Sequence, residues 1–203
     1  MKLFRDNGLT IVLLLMFAFS LGGMALTGLA AFNAEQLEHG GRAISLAEFL
    51  LSSRFISVTF ENWESEFLQM ATYVILTAYM FQRGSAESRD PDSPDRPKDA
   101  ATTVSWLYAH SLGLALIALF VISLVLHWLA SASDAAHEAV LHGQTAGGVL
   151  DHLGEPQFWF ESFQNWQSEF LSTAVLVVLS IFLRYKGSPE SKPVLARNSE
   201  TGA

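Results

Sequence analysis

The chain has 203 residues, half of them apolar and only 16% charged, where soluble domains carry nearer a quarter. A net charge of −8 excludes the Lys- and Arg-driven phosphate neutralisation on which nucleic-acid binding depends. The absence of cysteine removes disulfides, thiolate metal sites and thiol nucleophiles.

Residues 7–34 contain no charged side chain and predict a first membrane-spanning helix over about 8–32. Lys2 and Arg5 before this run, and Gly28-Leu29-Ala30 near its end, give the pattern of a cleavable signal peptide. The stretch is long for a signal-peptide core, so it reads as a span. Ala18, Gly22, Gly23, Thr27 and Ala31 form small-residue rows suited to close helix packing, within one chain or between two. Ser45 and Glu48 then make a capping box that opens a short amphipathic helix on the outer surface. An Asn-Trp block precedes the uncharged residues 67–82 and predicts a second helix over about 60–82.

Residues 90–104, with Asp-Pro, Ser-Pro and Arg-Pro steps, read as an extended linker. A third helix is predicted over about 106–131, a less helical outer loop around 147–156, and a fourth helix over about 163–185. Residues 193–203 read as a disordered tail.

Shifted by 103 positions, the sequence aligns with itself. Residues 55–89 fall on 158–192 with 15 identities in 35, where chance gives about two. The clearest block is FENWESEFL at 60–68 against FQNWQSEFL at 163–171, whose differences exchange Glu for Gln. Upstream, Phe17 meets Phe120, Glu35 meets Glu138 and His39-Gly40 meets His142-Gly143. The expected fold is therefore an all-α integral membrane protein. Its four transmembrane helices form two tandem hairpins, residues 1–89 and 105–192, repeated in parallel about an axis along the membrane normal. Ten of the twelve basic residues fall on the side of the termini and linker, with Arg42 and Arg54 opposite. The positive-inside rule then puts both termini in the cytoplasm.

The duplicated FxNWxSEFL blocks and the exits Arg83-Gly84-Ser85 and Lys186-Gly187-Ser188 resemble an uncharacterised family of small bacterial inner-membrane proteins. The resemblance covers nearly the whole chain. It implies a multi-pass bacterial inner-membrane location and carries no mechanism.

Asn62, Ser65, Glu66 and Gln69 share one helical face, repeated by Asn165, Ser168, Glu169 and Ser172. Glu169 lies 15 steps before Arg184, about 22 Å of helix, which places the carboxylate below the outer boundary of the hydrocarbon. The face is then an intramembrane polar site. Alternatively it marks where each helix enters the membrane, with Asn as cap, Glu on the helix dipole and Trp63 and Trp166 as interfacial anchors. The histidines His127, His137, His142 and His152 read as exposed outer residues, because their spacing matches no helical zinc pair. No metal, cofactor or catalytic residue is assigned, and no Walker loop, HExxH or GxSxG is present.

The expectation is a membrane protein that is non-enzymatic and works by association, with lipids, its own copies or a larger membrane complex as partners. The alternative is a small proton- or ion-linked transporter or channel built on Glu66 and Glu169.

Overall fold

The computed structural model describes residues 2–93, 104–145 and 147–202. Most of the linker expected at 90–104 lies outside them. The described residues form six α-helices, one 3-10 turn and no strand. The helices are α1 (Lys2–Glu38), α2 (Leu46–Leu50), α3 (Ser53–Tyr79), α4 (Trp106–Ala109), α5 (Ser111–Leu141) and α6 (Pro156–Phe182), with the turn at Asp151–Gly154 before α6.

Two helices, α1 and α5, are long and apolar enough to cross a membrane. Only 6% and 11% of their most apolar windows are buried within the chain. A soluble protein would bury helices this apolar in its core, so their exposed faces suit lipid.

Both hairpin partners begin earlier than the sequence pattern suggests. α3 starts at Ser53 because the Ser52 hydroxyl accepts a hydrogen bond from the Phe55 amide at 3.2 Å. α6 starts at Pro156, whose fixed φ and missing N–H suit the first helical position. The two end alike. Met80 and Leu183 turn extended, and Gly84 and Gly187 follow at φ 85° and 88°, a region open to glycine. Beyond the ends, Ser88 Oγ accepts from the Gln82 amide and Ser191 Oγ from the Tyr185 amide, each at 2.8 Å.

α3 packs closely along α5 and crosses α6. Phe17 meets Trp63 and Phe120 meets Trp166, each pair with ring centroids 6.1 Å apart. α2 carries the reciprocal Ser45–Glu48 capping box and buries Phe49 against Phe32 and Phe55. Gly28 makes room for that ring, since a Cβ there would lie 3.0 Å from it. A Cβ on Gly22 or Gly23 would meet nothing within 4 Å, so that part of the small-residue row is not used inside the chain. Where α1 and α5 end and α3 begins, Arg54 of α3 bridges Glu35 of α1 to Asp134 and Glu138 of α5.

Residues 193–202 fold back against the C-terminal exits of α3 and α6. Lys192 is buried, and its Nζ donates to the carbonyls of Arg197, Asn198 and Glu200 at 2.9–3.2 Å. The Gly84 amide donates to Thr201 Oγ1 and the Gly202 amide to the Ser85 carbonyl, both at 2.9 Å. Polar and charged composition predicts disorder because little apolar surface is available to bury. Here three backbone carbonyls of the segment gather around one ammonium.

Candidate functional site

An i, i+4 row on a helix lies on one face. On α3 the row Glu61, Ser65, Gln69, Tyr73, Thr77 is polar over four turns, and on α6 the row Glu161, Asn165, Glu169, Thr173 matches it. The crossing of α3 and α6 brings the rows together. Asn165 Nδ2 donates to the Glu61 carboxylate. Below it, Gln69 Nε2 reaches the Glu169 carbonyl (2.9 Å), Ser172 Oγ (3.1 Å) and Thr173 Oγ1 (2.8 Å).

Towards the outer end of this crossing, α5 supplies His127, fully buried. Its Nδ1 lies 3.0 Å from Glu64 Oε2, and Glu64 is fully buried as well. Its Nε2 lies 3.6 Å from Glu161 Oε2 and has no hydrogen-bond partner. One donor atom each from Glu61, His127 and Glu161 fall within 4.8 Å of one another. Phe158, 1% exposed, covers the imidazole with ring centroids 5.0 Å apart.

The 3-10 turn caps the centre from outside. His152, also buried, binds Glu155 Oε2 through Nδ1 (2.7 Å) and Ser131 Oγ through Nε2 (2.9 Å). Ser131 Oγ in turn lies 3.4 Å from Glu161 Oε2. A continuous polar chain thus runs from His152 through Ser131 and Glu161 to His127 and Glu64.

Three carboxylates surround one imidazole, and the ion pairs within the cluster include no Lys or Arg among the described residues. Arg54 is held by the acids above. Buried charges of one sign require a compensating cation or proton. Two cavities of about 330 Å³ each open elsewhere along the helices, and neither is lined by Glu61, Glu64, His127 or Glu161. The outer one is lined by Glu138, His142, His152 and Glu155. The inner one extends from Gln69 past Tyr73 and Thr77 to Glu87. At its inner end Glu87 is half-buried and accepts a hydrogen bond from the Tyr73 hydroxyl. Burial raises its carboxyl above the ordinary value, and the nearby Glu190 adds to the effect.

The residues proposed from sequence divide into two groups. Gln69, Asn165 and Ser172 lie on the α3–α6 crossing. Ser65 is buried with its hydroxyl bonded to the Asn62 carbonyl, and the exposed Ser168 makes the same bond to Asn165. Asn62 is exposed and bonds back to the Val58 carbonyl, Glu66 is exposed, and Glu169 is half-buried. Neither Asn is a cap. Each sits about ten residues inside its helix, so the reading of Asn as cap and Glu as dipole partner fails. Trp63 and Trp166 are half-buried, each against a Phe of the preceding long helix and a Phe of its own.

The histidines need a larger correction. His127 and His152 are interior, not exposed, and His127 is the hub of the site. The overlooked signal is the asymmetry of the repeat. At the 103-residue offset Glu61 and Glu64 meet Gln164 and Gln167, His127 meets Met24, and Glu161 meets Val58. Every member of the cluster stands where the two halves differ.

No curated protein and no solved structure is significantly similar to this chain. A family model matches it from residue 1 to residue 203, and the chain belongs to that family, described as a domain of unknown function (DUF6766).

Proposed function

We propose that the protein is a cation-translocating membrane protein, a small ion-linked transporter or channel. Its working centre is Glu61, Glu64, His127 and Glu161 in place of Glu66 and Glu169. The observation that carries this is the fully buried Glu64–His127 pair, set among the further carboxylates of Glu61 and Glu161. Ionisable groups inside a membrane bundle are costly and mark ion paths.

The reading takes α3 and α6 as spans beside α1 and α5. Each has 27 residues, about 40 Å of helix, and exposes apolar side chains such as Ile75, Leu76, Val175 and Leu176. Counted from Tyr79, Glu64 lies about 22 Å along α3; counted from Ser111, His127 lies about 24 Å along α5. Both depths fall within a hydrocarbon core about 30 Å thick. The repeat of 103 residues and the basic residues at the inner ends support two parallel hairpins with cytoplasmic termini. The resemblance in sequence supports a bacterial inner membrane. Cysteines at Ser93 and Gln144 test the orientation. An impermeant thiol reagent on intact cells should label Gln144→Cys and spare Ser93→Cys, and the reverse pattern overturns it.

Flux is tested by electrometry on protein reconstituted in vesicles, with imposed steps of H⁺, monovalent and divalent cations. The parent should carry a current for at least one of them. Glu61→Gln and Glu64→Gln, checked for retained helicity, should abolish it. Silence for every cation, or currents untouched by both substitutions, overturns the proposal.

A second reading, a protein that works by association, draws on α1. Its apolar window is 6% buried, and Gly22 and Gly23 face open space. Gly22→Leu and Gly23→Leu should then disrupt a cross-linkable dimer or a co-purifying partner, and loss of neither removes this reading.

A further inference from the structure

We propose that Glu61, His127 and Glu161 bind one divalent transition-metal ion of the zinc type, with Glu64 holding the imidazole in place. The proposal names the ion of the translocation reading, and it rests on that reading for the ion's passage, though not for its binding.

Metal-bound histidine commonly donates its second ring N–H to a carboxylate, which fixes the tautomer and turns the free nitrogen to the metal. His127 has this arrangement. Nδ1 meets Glu64 Oε2 at 3.0 Å, so the proton belongs on Nδ1 and the lone pair on Nε2. That Nε2 is fully buried, has no hydrogen-bond partner and lies 3.6 Å from Glu161 Oε2, and one ligand atom each of Glu61, His127 and Glu161 fall within 4.8 Å of one another. Zinc–nitrogen and zinc–oxygen bonds of about 2.0–2.2 Å place ligand atoms of a tetrahedral site about 3.4 Å apart. The Nε2–Oε2 separation of 3.6 Å to Glu161 already fits, and the 4.8 Å limit for the set closes with a side-chain shift of about an ångström. Three protein ligands leave a fourth position for water, the arrangement of a site whose ion exchanges.

One imidazole with two carboxylate oxygens is a borderline-hard set. It suits Zn²⁺ and its first-row neighbours better than Ca²⁺, which takes six to eight oxygens, or Cu⁺, which favours sulfur. A divalent ion offsets the charges of Glu61 and Glu161, and Glu64 keeps its charge while accepting the hydrogen bond of the metal-polarised Nδ1–H. The outer cavity reaches His152 and Glu155, and Ser131 links His152 to Glu161 by hydrogen bonds.

The test is equilibrium binding of Zn²⁺ to chelator-stripped full-length protein in detergent, by competition with a fluorescent chelator. Co²⁺ absorption reports the geometry. The parent should bind one equivalent and give Co²⁺ bands of a four-coordinate N/O site. His127→Gln and Glu161→Gln should each weaken binding by at least 100-fold. Glu64→Gln should weaken it 10–100-fold, the range for a residue that orients a ligand. His142→Gln, in the outer pair with His39 (ring centroids 6.2 Å apart), should change nothing. No stoichiometric binding by the parent overturns the proposal. So does binding that survives His127→Gln and is lost with His142→Gln. If the parent carries current yet binds no Zn²⁺, the metal assignment falls and translocation stands. If it binds Zn²⁺ at this site yet passes no ion, translocation falls and the metal site stands.

Discussion

Gln69 is the polar bridge between the two crossing helices, and its removal gives a graded test of the α3–α6 contact. Its Nε2 has three oxygen acceptors within 3.1 Å, Glu169 O, Ser172 Oγ and Thr173 Oγ1. The amide carries two hydrogens, so at most two of the three bonds form at once. Interhelical hydrogen bonds in membrane proteins average about 0.6 kcal/mol and reach about 1.7. Gln69→Leu, which nearly conserves volume, should therefore cost about 1.2 kcal/mol, with a ceiling near 3. The low end is expected because no donor is orphaned. Ser172 and Thr173 keep their own bonds to the Glu169 carbonyl at 2.9 and 3.0 Å. The assay is reversible unfolding in mixed micelles followed by helical circular dichroism, where about 1.2 kcal/mol is a sevenfold change in the unfolding constant. Pairing Gln69→Leu with Thr173→Val in a double-mutant cycle should give a coupling of about 0.6 kcal/mol. A cost of zero together with zero coupling would show that the polar rows do not meet as described, and a loss well above 3 kcal/mol would mean that Gln69 holds more than this crossing.

The inner turns separate backbone strain from contact. Gly84 and Gly187 share a left-handed φ, but a Cβ at Gly84 would lie 2.5 Å from the Asn198 carbonyl oxygen, whereas one at Gly187 meets nothing. Gly187→Ala should cost the left-handed penalty of about 1–2 kcal/mol. Gly84→Ala should cost more and also expose the tail, seen as faster amide exchange at 196–202; equal costs and unchanged exchange would contradict the docking. Glu87 gives a pH dependence. Its carboxyl is raised above 4.5 by burial and by Glu190, so the folded protein holds a proton that the unfolded chain has lost. The stability it contributes is complete below pH 4.5 and declines as pH rises through the folded value. Glu87→Gln should be more stable than the parent at pH 7 and lose that advantage below pH 4.5; a constant difference across this range would refute the assignment.

The primary sequence determined what periodicity, composition and self-similarity can express. The uncharged runs at 7–34 and 100–133 specify the apolar helices, since the cost of burying charge in lipid leaves few alternatives for such segments. Ser45 and Glu48 specified a cap through local bonds, and the paired Gly-Ser exits specified turns. Gln69 on one helix, and Asn165 and Ser172 on another, were also legible as members of two matching polar faces, because helical spacing alone puts residues on a face. Which faces meet was not legible. That depends on how α3 is rotated against α5 and α6, and on contacts between residues 34 to 104 positions apart in the chain. His127 illustrates the limit. In sequence it is one outer histidine among several, and only the packing of α5 on α3 and α6 sets its two nitrogens between Glu64 and Glu161. Tertiary structure likewise gathers Glu61, Glu64 and Glu161 around His127 and leaves Glu66 exposed and Glu169 half-buried. A residue's desolvation follows from the side chains that cover it, and those come from other helices.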